Sequence, residues 1–399
     1  MKVLIYEWAS YNHRDIVEAF RDAGCECRIV KHRFEDVNVD DGFAGEFAGY
    51  LKDGNYGFVY STNFFPVIAE CCNRNSVKYI SWSYDAPLDV PDIERTLGLP
   101  CNYAFMYDRE QVLGYKNKGF DNVYHLPLAV NVKRLDGMIL SAAERKKYSA
   151  QVSFVGNLYG SEMLNIRSIL DEFHQGYLDA LMKAQSKIYG YYVIDELLTD
   201  GLLNDINRTV YDKTMEYRRE HPGDHGDHAP VLNISREALS YAMAAQITRE
   251  DRLLALKLLA NHYDVKLYSR EKNELLDKIT YMGTVDYDNE MPKVFKASDI
   301  NLNMTLRCIR SGIPLRALDI MGAGGFLLSN YQPELAECFI DGEEMIMYES
   351  IEDMYAKASY YLNNPEIRTE IAKRGHEKVS REFCYDERIR TMLDTAGPV

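Results

Sequence analysis

Short apolar runs rich in β-branched and aromatic residues alternate with segments of helical spacing along most of this chain. In its first third, such runs lie at 2–6, 27–30, 57–60, 77–82, 103–107 and 123–126. Strands that alternate with helices form a parallel sheet covered on both faces. The pattern predicts the α/β class, in which ligands bind at the carboxyl ends of the strands.

The alternation starts again after a boundary at 127–131 and a polar, charged stretch. Further strands are predicted at 152–156, 265–269, 279–282, 300–304, 326–329 and 345–347. A chain of 399 residues is too long for one ordinary core and about right for two such domains. We predict a first Rossmann-like domain at 1–130 and a second at 131–382. A helical block at about 159–248 interrupts the second domain.

Charge and composition exclude several kinds of partner. The formal net charge is −15 and the pI is about 5.2, so the surface repels phosphate backbones and anionic headgroups. No apolar stretch reaches the roughly 18 residues that a membrane span needs, and the first residues show no signal-peptide pattern. The eight cysteines contain no Cys-x-x-Cys pair and indicate buried, reduced thiols. We expect a cytoplasmic protein that binds neither nucleic acid nor membranes.

The segment 301–326 carries the strongest chemical signal. A buried strand ends near Met304, a loop contains Gly312, and a helix is predicted to begin at about Pro314. Unpaired N–H groups of such a loop and the positive end of the helix suit a diphosphate. The guanidinium groups of three nearby arginines can bind the same anion: Arg307, Arg310 and Arg316. The alternative is a solvated surface loop with structural ion pairs.

A carboxylate completes this segment. Asp319 lies three residues after Arg316, so both side chains share one face of the predicted helix. A carboxylate in that position can accept hydrogen bonds from both hydroxyls of a ribose. The segment therefore predicts a nucleoside diphosphate site.

The residues Ser311-Gly-Ile-Pro-Leu-Arg-Ala-Leu-Asp319 resemble the E-x7-E region of retaining GT-B glycosyltransferases, and 324–329 resembles the turn and strand that follow it. The sequence of the whole segment is similar to that of the CgeB-like (spore-maturation type) glycosyltransferase family, a bacterial group. The resemblance implies two Rossmann-like parallel-sheet domains that face a cleft, with the helical block as an insertion. It also implies that a C-terminal helix at about 383–399 packs back on the first domain.

The two acids of that family motif fall on Ser311 and Asp319. In the resembled enzymes the first acid contacts the donor sugar and the second contacts the ribose. Asp319 keeps a carboxylate, whereas Ser311 removes a charge from the sugar pocket. Retention or inversion of the anomeric centre therefore stays open, as does the identity of the sugar.

Two further strand ends are expected to complete the donor site. Gly156 and Asn157 follow one strand, where a glycine lets backbone approach a phosphate closely, although it can also serve the turn. Gly283 and Val285 follow another strand, where GT-B relatives hold the base against backbone groups. Tyr287, two residues on, can stack on a base or serve packing.

The first domain offers three candidate catalytic residues at its strand ends. Asp85 follows the strand at 77–82, and a carboxylate there can deprotonate an acceptor hydroxyl or cap the next segment. His13 follows the first strand, where some inverting GT-B enzymes place their base. Glu7 ends that strand. The three can also form one hydrogen-bonded set.

Metal is not expected. No Asp-x-Asp stands at a strand end, and the His and Asp residues at 224–228 lie in a polar loop. Arginines and backbone N–H groups can neutralise a leaving diphosphate without a cation. We predict no cofactor beyond the nucleotide-sugar co-substrate.

Together these features predict a hexosyltransferase that uses a nucleotide diphosphate sugar, with UDP implied by resemblance. UDP-GlcNAc and UDP-glucose are the expected donors. The acceptor is a hydroxyl, either of protein Ser or Thr, as in flagellin or a surface protein, or of a polysaccharide. The alternatives are a non-catalytic sugar-nucleotide or carbohydrate-binding protein and a sugar-nucleotide epimerase. Three roles are open for the helical block: acceptor recognition, homodimer formation or a lid.

Overall fold

The structure is a computed structural model that describes residues 1–8, 10–88, 90–160, 162–221 and 233–397. These residues form two parallel sheets of six strands each, with helices on both faces of each sheet. This arrangement confirms the predicted α/β class. In the same residues, no helix is both long enough and apolar enough to cross a bilayer.

The first sheet has the order β2-β1-β3-β4-β5-β6. Its strands are β1 (Lys2–Glu7), β2 (Glu26–Lys31), β3 (Phe58–Thr62), β4 (Lys78–Ser83), β5 (Asn102–Met106) and β6 (Val123–His125). The helices that connect them are α1 (His13–Asp22), α2 (Asp41–Gly54), α3 (Pro66–Arg74), α4 (Glu94–Leu97) and α5 (Arg109–Asn117).

Alternating side chains explain why both faces of this sheet are covered. On β1, Val3 and Ile5 enter one core with Phe20 of α1, whereas Leu4 and Tyr6 enter the core on the opposite face. A strand whose two faces are both buried reads as an unbroken apolar run, which is how β1 appears in the sequence.

The second sheet has the order β12-β11-β10-β7-β8-β9. Two helices precede it, α6 (Val132–Asp136) and α7 (Ala142–Tyr148). The first strand, β7 (Val152–Val155), is followed by α8 (Glu162–Ser168), α9 (Glu172–Gln185), α10 (Ile194–Leu197), α11 (Asp200–Glu220) and α12 (Arg236–Ala260). The remaining elements of the chain are β8 (Val265–Tyr268), β9 (Thr280–Gly283), α13 (Met291–Ala297), β10 (Ile300–Asn303), α14 (Leu315–Gly322), β11 (Leu327–Asn330), α15 (Pro333–Cys338), β12 (Ile346–Tyr348), α16 (Ile351–Asn363), α17 (Pro365–Glu382) and α18 (Tyr385–Ala396).

Helices α8 to α11 and the first half of α12 occupy the predicted helical block. They enclose a core of their own, which includes Leu178, Ile206 and Leu239. Helix α14 begins at Leu315, one residue later than expected, because Pro314 is its N-cap with extended backbone. The polar loop at 224–228 lies outside the described residues.

The last helix joins the two halves of the chain. Tyr385 of α18 packs edge-on against Trp82 of β4, and its hydroxyl lies 3.2 Å from the hydroxyl of Tyr84. Ile389 and Met392 on the same helix are fully buried in the core that α1 and β4 share. The C-terminal helix therefore contributes side chains to the core of the first domain.

We expect Ile389→Ala to lower the free energy of unfolding by about 2–5 kcal/mol, because it leaves a cavity between α18 and the first sheet. Denaturant unfolding measures this change. The exposed Asp394 on the same helix provides a control, since Asp394→Ala should change the free energy by less than about 0.5 kcal/mol. Equal stability of the two variants would show that α18 does not support the first domain.

Candidate active site

The carboxyl ends of the two sheets face each other. Tyr11, in the loop after β1, packs on Tyr287, in the loop after β9, with ring centroids 5.6 Å apart. His125 at the end of β6 places Nε2 2.8 Å from Oε2 of Glu334, which follows β11. A ligand at the carboxyl edge of either sheet therefore lies between the domains, where open α/β sheets bind their ligands.

The turn after β10 gathers backbone N–H groups around one negative charge. Oδ2 of Asp108, from the first domain, accepts hydrogen bonds from the N–H groups of Arg310 at 2.9 Å, Ser311 at 3.2 Å and Gly312 at 3.4 Å. Successive N–H groups that point at one site form an anion-binding concavity. The turn 310–312 thus has the geometry that a phosphate oxygen requires.

Gly312 permits this close approach. A Cβ atom at Gly312 would lie 2.7 Å from the ring of Tyr107 and 3.1 Å from the Cα atom of Asp108. Since real Cβ atoms do not sit so close to an aromatic ring, a larger residue at 312 pushes the domains apart. The glycine is required by the packing between domains.

The structure supplies a carboxylate beside Ser311 that the sequence does not reveal. The Ser311 hydroxyl lies 2.7 Å from Oε1 of Glu334 and 3.1 Å from Oδ1 of Asp108. The hydroxyl has one proton, so it donates to one of these acids at a time. Glu334 lies at the start of α15, just after β11, which is the strand next to β10. This position after a strand is the one sequence signal for it.

Glu334 is buried, yet it stays ionised. Burial by itself raises the pKa of its carboxyl group, but hydrogen bonds from His125, Ser311 and the N–H of Arg109 outweigh burial and lower the pKa. The sugar side of the predicted site therefore carries a negative charge after all, next to Ser311 rather than on it.

Asp319 lies buried on α14, facing the loop after β9. The hydroxyl of Tyr287 donates to Oδ1 at 3.0 Å, and a guanidinium nitrogen of Arg316 lies 3.3 Å from Oδ2. Burial raises the pKa of Asp319 to about 6, although Arg316 and Tyr287 act in the opposite direction. The predicted pair of Asp319 and Arg316 is thus formed on one helix face, and Tyr287 joins it.

The other two arginines are directed elsewhere. Arg307 is buried, its Nε donates to Asp251 at 2.9 Å, and its guanidinium stacks 3.7 Å from the ring centroid of Tyr189. The guanidinium of Arg310 pairs with Asp195 of α10. Both charges are neutralised by acids of α10 and α12, so the structure does not gather the three arginines at the turn.

The loop after β7 is held by an arginine that the sequence analysis missed. Arg252 is buried between the rings of Phe154 and Tyr159 and donates to the carbonyl oxygens of Asn157 and Met304. It therefore joins the loops after β7 and β10. The signal was available, since Arg252 occupies the same stripe of α12 as the buried Ala255, Leu256 and Leu259.

The remaining glycines lie at strand ends as expected. The N–H of Gly156 donates to the carbonyl of Tyr268 at 3.0 Å, which ties the end of β7 to β8. Gly283 ends β9 with φ of +74°, a left-handed conformation that favours glycine. Val285 follows and packs partly buried against the core between the domains.

The candidate catalytic residues form two groups rather than one. Nε2 of His13 lies 3.1 Å from one oxygen of Glu7, and Lys31 lies 2.9 Å from the other. Burial lowers the pKa of His13, with Glu7 acting in the opposite direction, so the imidazole is held neutral. A neutral imidazole beside a carboxylate can accept a proton.

Asp85 belongs to the other group. Its carboxylate is exposed after β4 and accepts a hydrogen bond from Nδ2 of Asn63 at 2.5 Å, while Oδ1 of Asn63 accepts from the N–H of Tyr84. Asp85 follows β4, and Asp108 follows the neighbouring strand β5. The pKa of Tyr107 is raised mainly by burial and also by the negative charges of Asp108 and Asp85, so both carboxylates act on the same tyrosine. Asn63 is therefore a positioning residue that sequence reasoning did not identify.

Across the described residues, no three His, Cys, Asp or Glu side chains are grouped to hold a metal ion.

Residues 249–394 match the model of a family described as glycosyl transferase-like. This segment runs from the second half of α12 into α18 and contains the turn 310–312 and Asp319. No curated protein sequence matches the chain.

Solved structures with the same fold are distant in sequence. A glycosyltransferase from Rickettsia africae has 10% identity and a TM-score of 0.56, with 99% of this chain and 97% of that chain covered. HepE from Anabaena, solved in complex with UDP-glucose, has 9% identity and a TM-score of 0.56, with 99% of each chain covered. Sucrose-phosphate synthase from Thermosynechococcus elongatus has 10% identity and a TM-score of 0.55, with 98% and 97% covered. The chain therefore has the GT-B glycosyltransferase fold.

We expect Gly312→Ala to separate the domains at the turn, because the added methyl group overlaps the ring of Tyr107. The free energy of unfolding should fall by about 1–3 kcal/mol, as for other overpacked sites. Gly114, exposed on α5 with no atom near its Cβ position, is the control. Gly114→Ala should stabilise the helix by about 0.5–1 kcal/mol. A Gly312→Ala protein as stable as the parent would contradict the tight contact.

Proposed function

We propose that this GT-B protein transfers a hexose from a UDP-sugar to a hydroxyl acceptor. The observation that carries the proposal is the turn 310–312, whose N–H groups converge on a single anionic oxygen at the carboxyl edge of the second sheet. In a water-excluded cleft, such fixed donors stabilise the negative charge that develops on a leaving diphosphate. The match of residues 249–394 to a glycosyl transferase-like family supports the same chemistry.

The donor nucleotide is UDP in this proposal. HepE of Anabaena, with the same fold, has been solved with UDP-glucose and with UDP and glucose. UDP-glucose and UDP-GlcNAc are the donors we propose for this chain. The turn 310–312 holds the diphosphate, Asp319 accepts from the ribose, and Ser311 with Glu334 faces the sugar hydroxyls.

Ribose binding at Asp319 replaces a contact that already exists. The Tyr287 hydroxyl now donates to this carboxylate, and a ribose hydroxyl can take its place as donor. Hydrogen bonds to a carboxylate favour its ionised form. Donor binding therefore lowers the pKa of Asp319, and by linkage the donor binds more tightly when Asp319 is already ionised.

Affinity for UDP-glucose should consequently rise by up to about tenfold between about pH 5 and pH 7, as a group with a pKa of about 6 ionises. The phosphates of UDP-glucose do not titrate in this range, so the change belongs to the protein. Calorimetric titration at several pH values measures it. Asp319→Asn should flatten the profile, whereas Asp277→Asn, at an exposed site, should keep it. A pH dependence that survives in Asp319→Asn would exclude Asp319 as its source.

The proposed general base is Asp85. It is exposed, its orientation is fixed by Asn63, and it follows the strand next to β5, whose end carries Asp108. The other two candidates lie at or after the end of β1, which is three strands away from β5 in the sheet. The His13 and Glu7 pair is the second candidate, because a neutral imidazole held by a carboxylate is itself a competent base.

We expect Asp85→Asn to reduce sugar transfer by about 10²–10⁴-fold with UDP-glucose affinity retained, since a general base contributes to the chemical step. His13→Asn should reduce transfer much less, and Asp53→Asn, at an exposed position on α2, should leave it unchanged. Sugar transfer and donor hydrolysis are both measured from the release of their products, with UDP-glucose and UDP-GlcNAc as donors. A larger loss in His13→Asn would assign the base to the imidazole.

The same assay decides between the proposal and its alternatives. Binding of a UDP-sugar without turnover indicates a sugar-nucleotide or carbohydrate-binding protein, and a product that is an isomeric UDP-sugar indicates an epimerase. Absence of binding and turnover with any nucleotide sugar contradicts the proposal.

The acceptor in this proposal is a hydroxyl of a cytoplasmic protein, such as flagellin or a surface protein before export, or of a growing polysaccharide. The helical block, α8 to α11, would recognise this acceptor, form a homodimer or act as a lid. Transfer would need no metal, because N–H groups of the turn and Arg316 face the leaving diphosphate.

A further inference from the structure

The turn 310–312 is filled by a residue of the same chain. Asp108 is about 1% exposed, and its Oδ2 accepts hydrogen bonds from the N–H groups of all three residues of the turn. Within the described residues Asp108 forms no ion pair, so N–H groups and the Ser311 hydroxyl provide its hydrogen bonds. A buried carboxylate without a cation is stable only where such donors are fixed in advance.

The same carboxylate also caps a helix. Asp108 is the N-cap of α5, and its Oδ1 accepts from the N–H of Gln111 at 3.1 Å. Oδ2 therefore serves the turn of the second domain, whereas Oδ1 caps α5 and also lies 3.1 Å from the Ser311 hydroxyl. The position of Asp108 is fixed by α5, so its carboxylate leaves the turn only when the domains separate there.

A phosphate oxygen and Asp108 cannot occupy the turn together. Both would need the same N–H groups, because Oδ2 of Asp108 already accepts from all three. Two negative charges at this distance would also repel each other. Occupation of the turn is therefore a competition between an internal and an external anion.

We propose that Asp108 is an autoinhibitory latch that holds the domains closed on the turn 310–312 until the diphosphate of the donor displaces it. The inference rests on the proposed function, since it takes that diphosphate as the displacing ligand. Apparent donor affinity is then reduced by the fraction of protein in which the latch is closed.

Other hydrogen bonds and an ion pair cross the same interface between the domains. Glu334 of the second domain accepts from His125 and from the N–H of Arg109, and the guanidinium of Arg109 pairs with Glu337 at 2.6 Å. The pair of Arg109 and Glu337 lies at the exposed rim of the contact. It crosses the same interface without touching the turn, and it provides a matched control.

The test compares Asp108→Asn with Arg109→Ala. Asn has one acceptor oxygen, so when it caps α5 it leaves the turn without an acceptor. UDP is titrated into the parent and both variants by calorimetry, and small-angle scattering without ligand reports domain separation. We expect Asp108→Asn to bind UDP about tenfold more tightly and to scatter as a more open particle. Arg109→Ala should change UDP affinity by less than about twofold, since an exposed ion pair contributes little.

Asp108→Ser provides a second variant, because serine also caps helices and has no carboxylate. If UDP binds the parent and neither Asp108 variant binds it more tightly, the latch is overturned while the proposed function stands. If UDP binds neither the parent nor either Asp108 variant, the proposed function is contradicted, and the latch with it. Equal gains in Arg109→Ala and Asp108→Asn would overturn the specific role of Asp108.

Discussion

The site depends on one turn in which three N–H groups must share an anion. In the part of the chain that the structure describes, Asp108 of the first domain accepts from the N–H groups of residues 310–312, and no strand or helix of the second domain does. A buried N–H group without an acceptor costs about 1–3 kcal/mol, so the turn binds an anion wherever it is closed to water. The fold delivers this turn to the cleft because it follows β10, a central strand of the sheet.

The positively charged side chains that flank the turn in the sequence are paired with acids elsewhere in the domain. Arg307 and Arg310 flank the turn, but their guanidinium groups are neutralised by Asp251 and Asp195. Arg316 instead pairs with Asp319 on its own helix. The donor site that we propose therefore consists mainly of backbone N–H groups, one arginine and one carboxylate, rather than of a cluster of cations.

The fold could be predicted from the sequence because its signals are local. The apolar run that became β1 is unbroken, and Gly312, Pro314 and Asp319 mark the turn and helix after β10. Partners distant in sequence could not be predicted. Nothing local indicates that Asp108 enters the turn, 202 residues before Arg310, or that Glu334 stands beside Ser311. Sequence spacing predicts that the arginines near the turn act together, but acids on α12 and α10 pair with Arg307 and Arg310 and direct them apart.

A crystal structure of the protein with UDP bound would show directly whether the turn binds the donor. We expect an oxygen of the diphosphate within hydrogen-bond distance of the N–H groups of residues 310–312, and the ribose hydroxyls on Asp319. We also expect Asp108 to have left the turn. UDP bound elsewhere, or bound while Asp108 still occupies the turn, would show that the turn is not the diphosphate site that Asp108 blocks.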